Sequence, residues 1–316
     1  MKKYLSKALS EYGVGVALIL EIILFSQLSQ YFFTADNLLN VTLQVSITAI
    51  IAVGMTFVIL TGGIDLSVGS VVAVTGIIAT SLIKFDFSAS PFLLITVSVI
   101  VALVFGFLSG SAAGFFITKF KVTPFIITLA LMTVWRGAAF VYTDGRPVWG
   151  LPEMFSVLGG GRFIGIPIPT IIMIIIFITA HIVLTKTRFG RYVYAVGGNE
   201  EAARLVGIKT NKILITVYSI CGLLSALSGI LLASRMNSGQ PNAGQMYELD
   251  VIAAVVVGGT SLNGGRGTIL GTFFGAMLIA ILRNGLNLLN VNSYVQQVIV
   301  GVVILLAVLM DRKRGK

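Results

Sequence analysis

The chain has 316 residues, 56% of them hydrophobic and 11% charged, with a mean hydropathy of +0.99. Soluble domains carry about 25% charged residues, so a soluble domain is excluded and lipid must be the solvent for most of the length. The net charge of +10 clusters at the ends of apolar runs, which marks it as topology signalling and excludes a nucleic-acid-binding face.

Apolar runs of membrane length define about ten spans of an all-α, polytopic bundle forming one domain, 1–316. The first, 14–33, follows a basic start but is long for a signal core and lacks an A-x-A cleavage site, so it reads as a span. The next four are 41–61, 66–83, 92–117 and 122–142, the last with Pro124 in its first turn, where the missing N–H costs little. A sixth at 169–184 carries the single histidine, His181, for which packing or a proton relay are the open readings. The remainder are 213–234, a short segment around 251–257 that either spans or re-enters, 268–289 and 295–310. Cys221, the one cysteine, lies in the seventh, so no disulfide or thiolate metal cluster forms within the chain.

Ten spans put both termini on one side. With that side inside, sixteen of the 22 Lys and Arg fall inside, four (Lys84, Arg146, Arg162, Arg235) outside, and two (Arg136, Arg283) within spans. The bias places both termini and the polar interval 186–212 in the cytoplasm. It leaves the Gly/Pro-rich loops 143–166 and 235–250 outside, as a surface for an external partner.

The interval 186–212 holds NEEAARLVG, a helix with its own start and stop. Asn199 can cap it. Glu200 and Glu201 sit where the dipole favours negative charge, and Glu200 is spaced to pair with Arg204. Ala203 falls mid-helix, Ala202, Leu205 and Val206 share a face, and Gly207 supplies a left-handed stop. So short a helix is unstable alone in water and needs a groove, supplied by this chain or by a partner.

Glycines at four-residue spacing, Gly106, Gly110, Gly114 and Gly267, Gly271, Gly275, predict close backbone packing in lipid. Two glycine-rich breaks, GGIDLSVGS (62–70) and GGTSLNGGRG (258–267), read as interrupted helices at a polar path or as tight turns. Asp65 can cap the third span, and Asp65, Thr133 and Trp135 are candidates for the path, with structural roles as the competing reading. No Walker A loop, H-E-x-x-H, Cys/His cluster or G-x-S-x-G occurs, so neither an enzyme site nor a metal site is visible. Only Glu21 is a carboxylate well inside a span, which points to energy supplied from outside the chain.

The segments TRFGRYVYAVGGNEEAARLVGI, GGIDLSVGS, QPNAGQMYELDVIAAVVVGGTSLNGGRGTILGT and NGLNLLNV resemble permease subunits of bacterial sugar ABC importers, ribose importers among them, over nearly the whole chain. The resemblance implies a coupling helix at 199–207 and two permease copies, a homodimer or a heterodimer with a paralogue. It also implies a separate cytoplasmic ABC ATPase that holds the ATP and Mg, and a periplasmic or lipid-anchored sugar-binding protein. The cargo implied is a monosaccharide, ribose or a related sugar, and the location the bacterial inner membrane. From the residues alone, a stand-alone secondary transporter or facilitator for a neutral solute and a non-transport scaffold remain rival readings.

Overall fold

The structure is a computed structural model describing residues 2–85 and 90–314; side chains are described from 13 to 309, apart from 86–89. The basic termini counted above (Lys2, Lys3, Lys7 and those in 312–316) therefore lie outside the described side chains. The described helices are α1 (Lys2–Leu28), α2 (Ala35–Leu60), α3 (Val68–Lys84), α4 (Pro91–Phe120), α5 (Pro124–Thr143), α6 (Glu153–Gly160), α7 (Ile168–Lys186), α8 (Arg188–Gly198), α9 (Glu200–Leu205), α10 (Thr210–Arg235), α11 (Tyr247–Val257), α12 (Ile269–Leu288) and α13 (Ser293–Arg314). Strands of two residues each, β1 (Val148–Trp149) with β4 (Ser238–Gly239) and β2 (Arg162–Phe163) with β3 (Ile166–Pro167), form small antiparallel pairs. The helices α2, α4, α5, α7, α10 and α12 are long and apolar enough to cross a membrane; α3 and the apolar parts of α1 and α13 are shorter.

The core is built around α2 and α10. Helix α2 is buried from Val45 to Leu60 except at Thr48, as expected of a helix apolar on all sides. The first glycine stripe seats α4 on α10: a Cβ on Gly106, Gly110 or Gly114 would strike the backbone or Cβ atoms at Gly222, Ala226, Tyr218 or Ile215. The second seats α12 on α11, with Gly271 against the Gly258 carbonyl and Gly275 against the Ala254 carbonyl. Small residues allow this approach, and buried hydroxyls add links between helices: Thr56 Oγ1 and Thr272 Oγ1 lie 2.7 Å apart, and Ser228 donates to the Ile47 carbonyl at 2.9 Å.

The two long loops are more structured than their Gly/Pro content predicts. Within 143–166, α6 packs on the end of α10, with Phe155 fully buried and the Gly159 N–H donating to Ser234 Oγ at 2.7 Å. Of the loop 235–250, Ser238, Gly239, Pro241, Gly244 and Asp250 are buried in the bundle, while Asn242, Gln245 and Met246 stay exposed. Gly239 lies against Ile77 and Thr80, and Gly244 against Gly69 and Val72, so the chain descends along α3 by about two turns before α11 begins. The segment around 251–257 thus belongs to α11, which follows a run of turns at 241–246 packed along α3.

Candidate functional site

The Asn199–Gly207 segment closes one end of the bundle. Asn199 caps α9, its Oδ1 accepting from the Ala202 N–H at 2.9 Å. Gly207 takes a positive φ of 87°, and the Ile208 N–H returns to the Ala203 carbonyl at 3.0 Å, the left-handed stop that glycine favours. Glu200 and Arg204, however, form no ion pair; among the described residues the one ion pair is Arg283 with Asp250. Both instead line a groove beside the helix. The apolar residues also divide differently from the helical-face reading. Only Ala203 is buried, whereas Ala202 is exposed, and Leu205 and Val206 are 83% and 78% exposed. This chain covers no apolar face of α9; it leaves two branched aliphatic side chains pointing outward at the tip.

The preceding stretch, RFGRYVYAVGG, forms a helix that the sequence reading did not separate. Thr187 Oγ1 accepts from the Gly190 N–H at 3.2 Å, and Gly190, Val193 and Val196 turn inward. Its end is fixed against both glycine-rich breaks. A Cβ on Gly197 would collide with the Leu60 carbonyl and the Gly265 N–H, while the Gly265 N–H itself donates to the Leu60 carbonyl at 2.9 Å. Tyr194 donates to the Gly267 carbonyl at 2.7 Å, and burial pushes its phenol pKa up. Three chain segments, the end of α2, the end of α8 and the turn before α12, therefore meet backbone to backbone. Any displacement of α9 pulls on this junction through a single residue, Asn199.

Beyond the junction lie the turn before α3 and the segment before α11. Asp65, 1% exposed, accepts from the Ser67 N–H at 2.9 Å and the Ser67 hydroxyl at 2.6 Å; it fixes the turn before α3, while Ser67 holds the cap position itself. Trp135 is half-buried, edge-on to Phe105 at 4.9 Å between ring centroids. Thr133 is exposed, its hydroxyl donating within α5 to the Leu129 carbonyl at 3.0 Å. The three path candidates are not gathered at one site.

A residue that sequence reasoning gave no role, Arg136, holds the segment before α11. Arg136 Nη1 donates to the Pro241 and Ala243 carbonyls, each at 2.7 Å. It lies just past the midpoint of α5, about 18 Å from the Pro124 end. Non-helical backbone at such depth persists only where protein or a wet cavity satisfies it; Arg136 satisfies two carbonyls of the descending segment. The signal available was a lone arginine in a span together with the turn-forming run PNAG. Beside this clamp Asn242, Gln245 and Thr133 are exposed, Thr133 one turn before Arg136 on the same helix face. The other in-span arginine, Arg283, pairs with Asp250 at 2.5 Å on the wall of a cavity of about 330 Å³.

Six long apolar helices, packed closely through small residues, define a multi-pass membrane protein. Residues 37–308 match the family described as branched-chain amino acid transport system / permease component, and the chain belongs to that family. It is 50% identical to the ribose import permease protein RbsC of Escherichia coli K12 over 318 residues, covering 99% of this chain and 97% of that protein. It is 49% identical to the ribose import permease protein RbsC of Bacillus subtilis 168 (97% and 94% covered). Identity is 40% to the L-arabinose ABC transporter permease protein AraH of Azospirillum brasilense (93% and 86% covered). No solved structure matches the chain.

Proposed function

We propose that this chain is the membrane-spanning subunit of an ABC importer that moves ribose, or a closely related monosaccharide, into a bacterial cytoplasm. The observation that carries the reading is 50% identity to a ribose import permease across 99% of the chain. In this reading the chain crosses the membrane about ten times with both termini inside, α9 faces the cytoplasm, and a separate ATPase holds the ATP and Mg. A periplasmic or lipid-anchored binding protein delivers the sugar at the opposite end.

The geometry supplies a physical route for the work. A groove on the ATPase takes Leu205 and Val206. Closure of the ATPase dimer displaces α9, and the junction of Gly197, Leu60 and Gly265 carries that displacement to both interrupted passages. The descending segment held by Arg136 then shifts beside Asn242 and Gln245. These side chains are exposed on a chain otherwise adapted to lipid, so a second copy of the permease covers them and the two enclose a wet path. Amide and hydroxyl groups there suit a neutral polyol. Coupling runs equally in both directions, so a loaded binding protein outside favours ATPase closure inside.

Reconstitution tests the reading. Uptake of labelled ribose into proteoliposomes should require ATP, the ATPase and the binding protein together. Sugar moved by the purified chain alone would establish a facilitator or secondary transporter instead.

A further inference from the structure

We propose that the cavity between α2, α11, α12 and α13 binds one neutral monosaccharide, at a site separate from the exposed strip on α5. The inference rests on the transport reading only for the choice of sugar and for the side of the membrane the cavity faces.

The cavity encloses about 330 Å³ and lies where α10 and α12 end and α11 and α13 begin. Arg235, which lines it, is the last residue of α10, and Thr210, just after α9, is the first. At ~1.5 Å per residue that helix is about 38 Å long, so the cavity and α9 occupy opposite ends of the bundle. In the transport reading the site receives sugar at the end remote from the ATPase.

The polar groups of the lining keep unused hydrogen-bonding capacity. Arg283 and Asp250 pair through Nη2 and one carboxylate oxygen, yet their side chains remain 31% and 11% exposed. The Gln296 amide N–H groups donate to Asn287 Oδ1 at 2.8 Å and to the Val291 carbonyl at 2.9 Å. That leaves the Gln296 carbonyl oxygen and the Asn287 amide N–H groups without a partner among the described residues, as are the Gln44 amide and the Tyr247 hydroxyl. Gln44 and Asn287 are exposed, and neither the Tyr247 hydroxyl nor the Gln296 oxygen is sealed from solvent. The Tyr247 hydroxyl lies within electrostatic reach of Asp250, Arg235 and Arg283. Beside these groups, Val45, Ala254, Ala276 and Ile279 give the buried part of the lining an apolar surface.

Donors and acceptors held around an apolar surface match a sugar ring, which presents hydroxyls at its edge and C–H groups on its faces. The volume is near the lower end of the about 300–1,000 Å³ usual for ligand pockets, room for one ring. Charge selects the class further. An anion would compete with Asp250 and a cation with Arg283, whereas a neutral ligand leaves the buried pair intact. An apolar ligand would strand the polar groups without water or partner.

The test uses the full chain carrying Gln44→Cys in phosphatidylcholine nanodiscs, without ATPase or binding protein. Cys221, the natural thiol, is buried, so a water-soluble maleimide reads the new thiol alone. Ribose or arabinose should slow labelling saturably, and ribonate, the corresponding acid, should not. Thr133→Cys on the α5 strip should label equally fast with and without sugar. Adding Tyr247→Phe to Gln44→Cys should raise the half-protecting sugar concentration about fivefold, the scale of one neutral hydrogen bond. That hydroxyl has no described partner, so the fold should be retained and the loss readable. No protection by any neutral pentose or hexose, stronger protection by ribonate, equal protection of both thiols, or protection indifferent to Tyr247→Phe would each overturn the proposal. Uptake by the chain without ATP would instead refute the transport reading and leave the labelling result intact.

Discussion

Two neighbouring glycines differ in what they can tolerate. A Cβ at Gly197 would meet the Leu60 carbonyl and Gly265 backbone, whereas one at Gly198 meets nothing within 4 Å. Gly197→Ala should destabilise the chain by about 1–3 kcal/mol, the usual effect of overpacking. Gly198→Ala should be neutral or slightly stabilising, since alanine is up to ~1 kcal/mol better than glycine in a helix. Thermal unfolding of both variants in one detergent checks the contrast; equal effects would remove the junction from the mechanism. The sequence already showed glycine pairs here but not which member is pinned. Composition locates a flexible residue, and only the fold supplies the carbonyl that excludes its side chain. Asn199 and Gly207 were legible in advance because a cap and a left-handed stop are local devices, complete within a few residues.

Elements were readable where lipid dictates them and obscure where packing does. Most long apolar runs appear as helices close to their expected limits, but the first, expected at 14–33, is instead Lys2–Leu28. Helix α8 did not, because Gly190, Gly197 and Gly198 weigh against a helix until the surfaces they approach are known. The descending segment was read as an external loop for a similar reason: Pro241, Asn242 and Gly244 are turn-formers, and the arginine that draws them inward lies 105 residues earlier. Arg136→Met should lose about 1.5–3 kcal/mol per charged hydrogen bond, lowering thermal stability and abolishing uptake even when the variant inserts. Arg136→Met with unimpaired transport would show that the clamp is dispensable. At α9 the outcome should invert. Leu205→Ser with Val206→Ser should alter stability by no more than about 0.5 kcal/mol, as exposed positions do, yet should prevent co-purification of the ATPase. The direction of this face was not legible, because a six-residue helix offers too few positions for periodicity to choose a side.

Across the described residues, one region carries the exposed tip of α9 and another a folded cover of α6 and paired strands. The charge bias in the sequence predicts two unlike faces. It did not foretell that the two glycine-rich breaks meet, since nothing local links residues 60 and 265. In the proposed transport cycle, their meeting would carry a displacement of α9 to both breaks together. Gly271→Leu, in the stripe that seats α12 beside the second break, should lower unfolding temperature in detergent, because its side chain would enter the Gly258 carbonyl. The most direct measurement is ribose uptake by proteoliposomes holding the permease, the ATPase and the binding protein, run with the natural chain and with Leu205→Asp/Val206→Asp. ATP-dependent accumulation by the natural chain, and none by a variant that inserts and folds normally, is the predicted result. Accumulation by the variant, or by the natural chain without ATP, would contradict it.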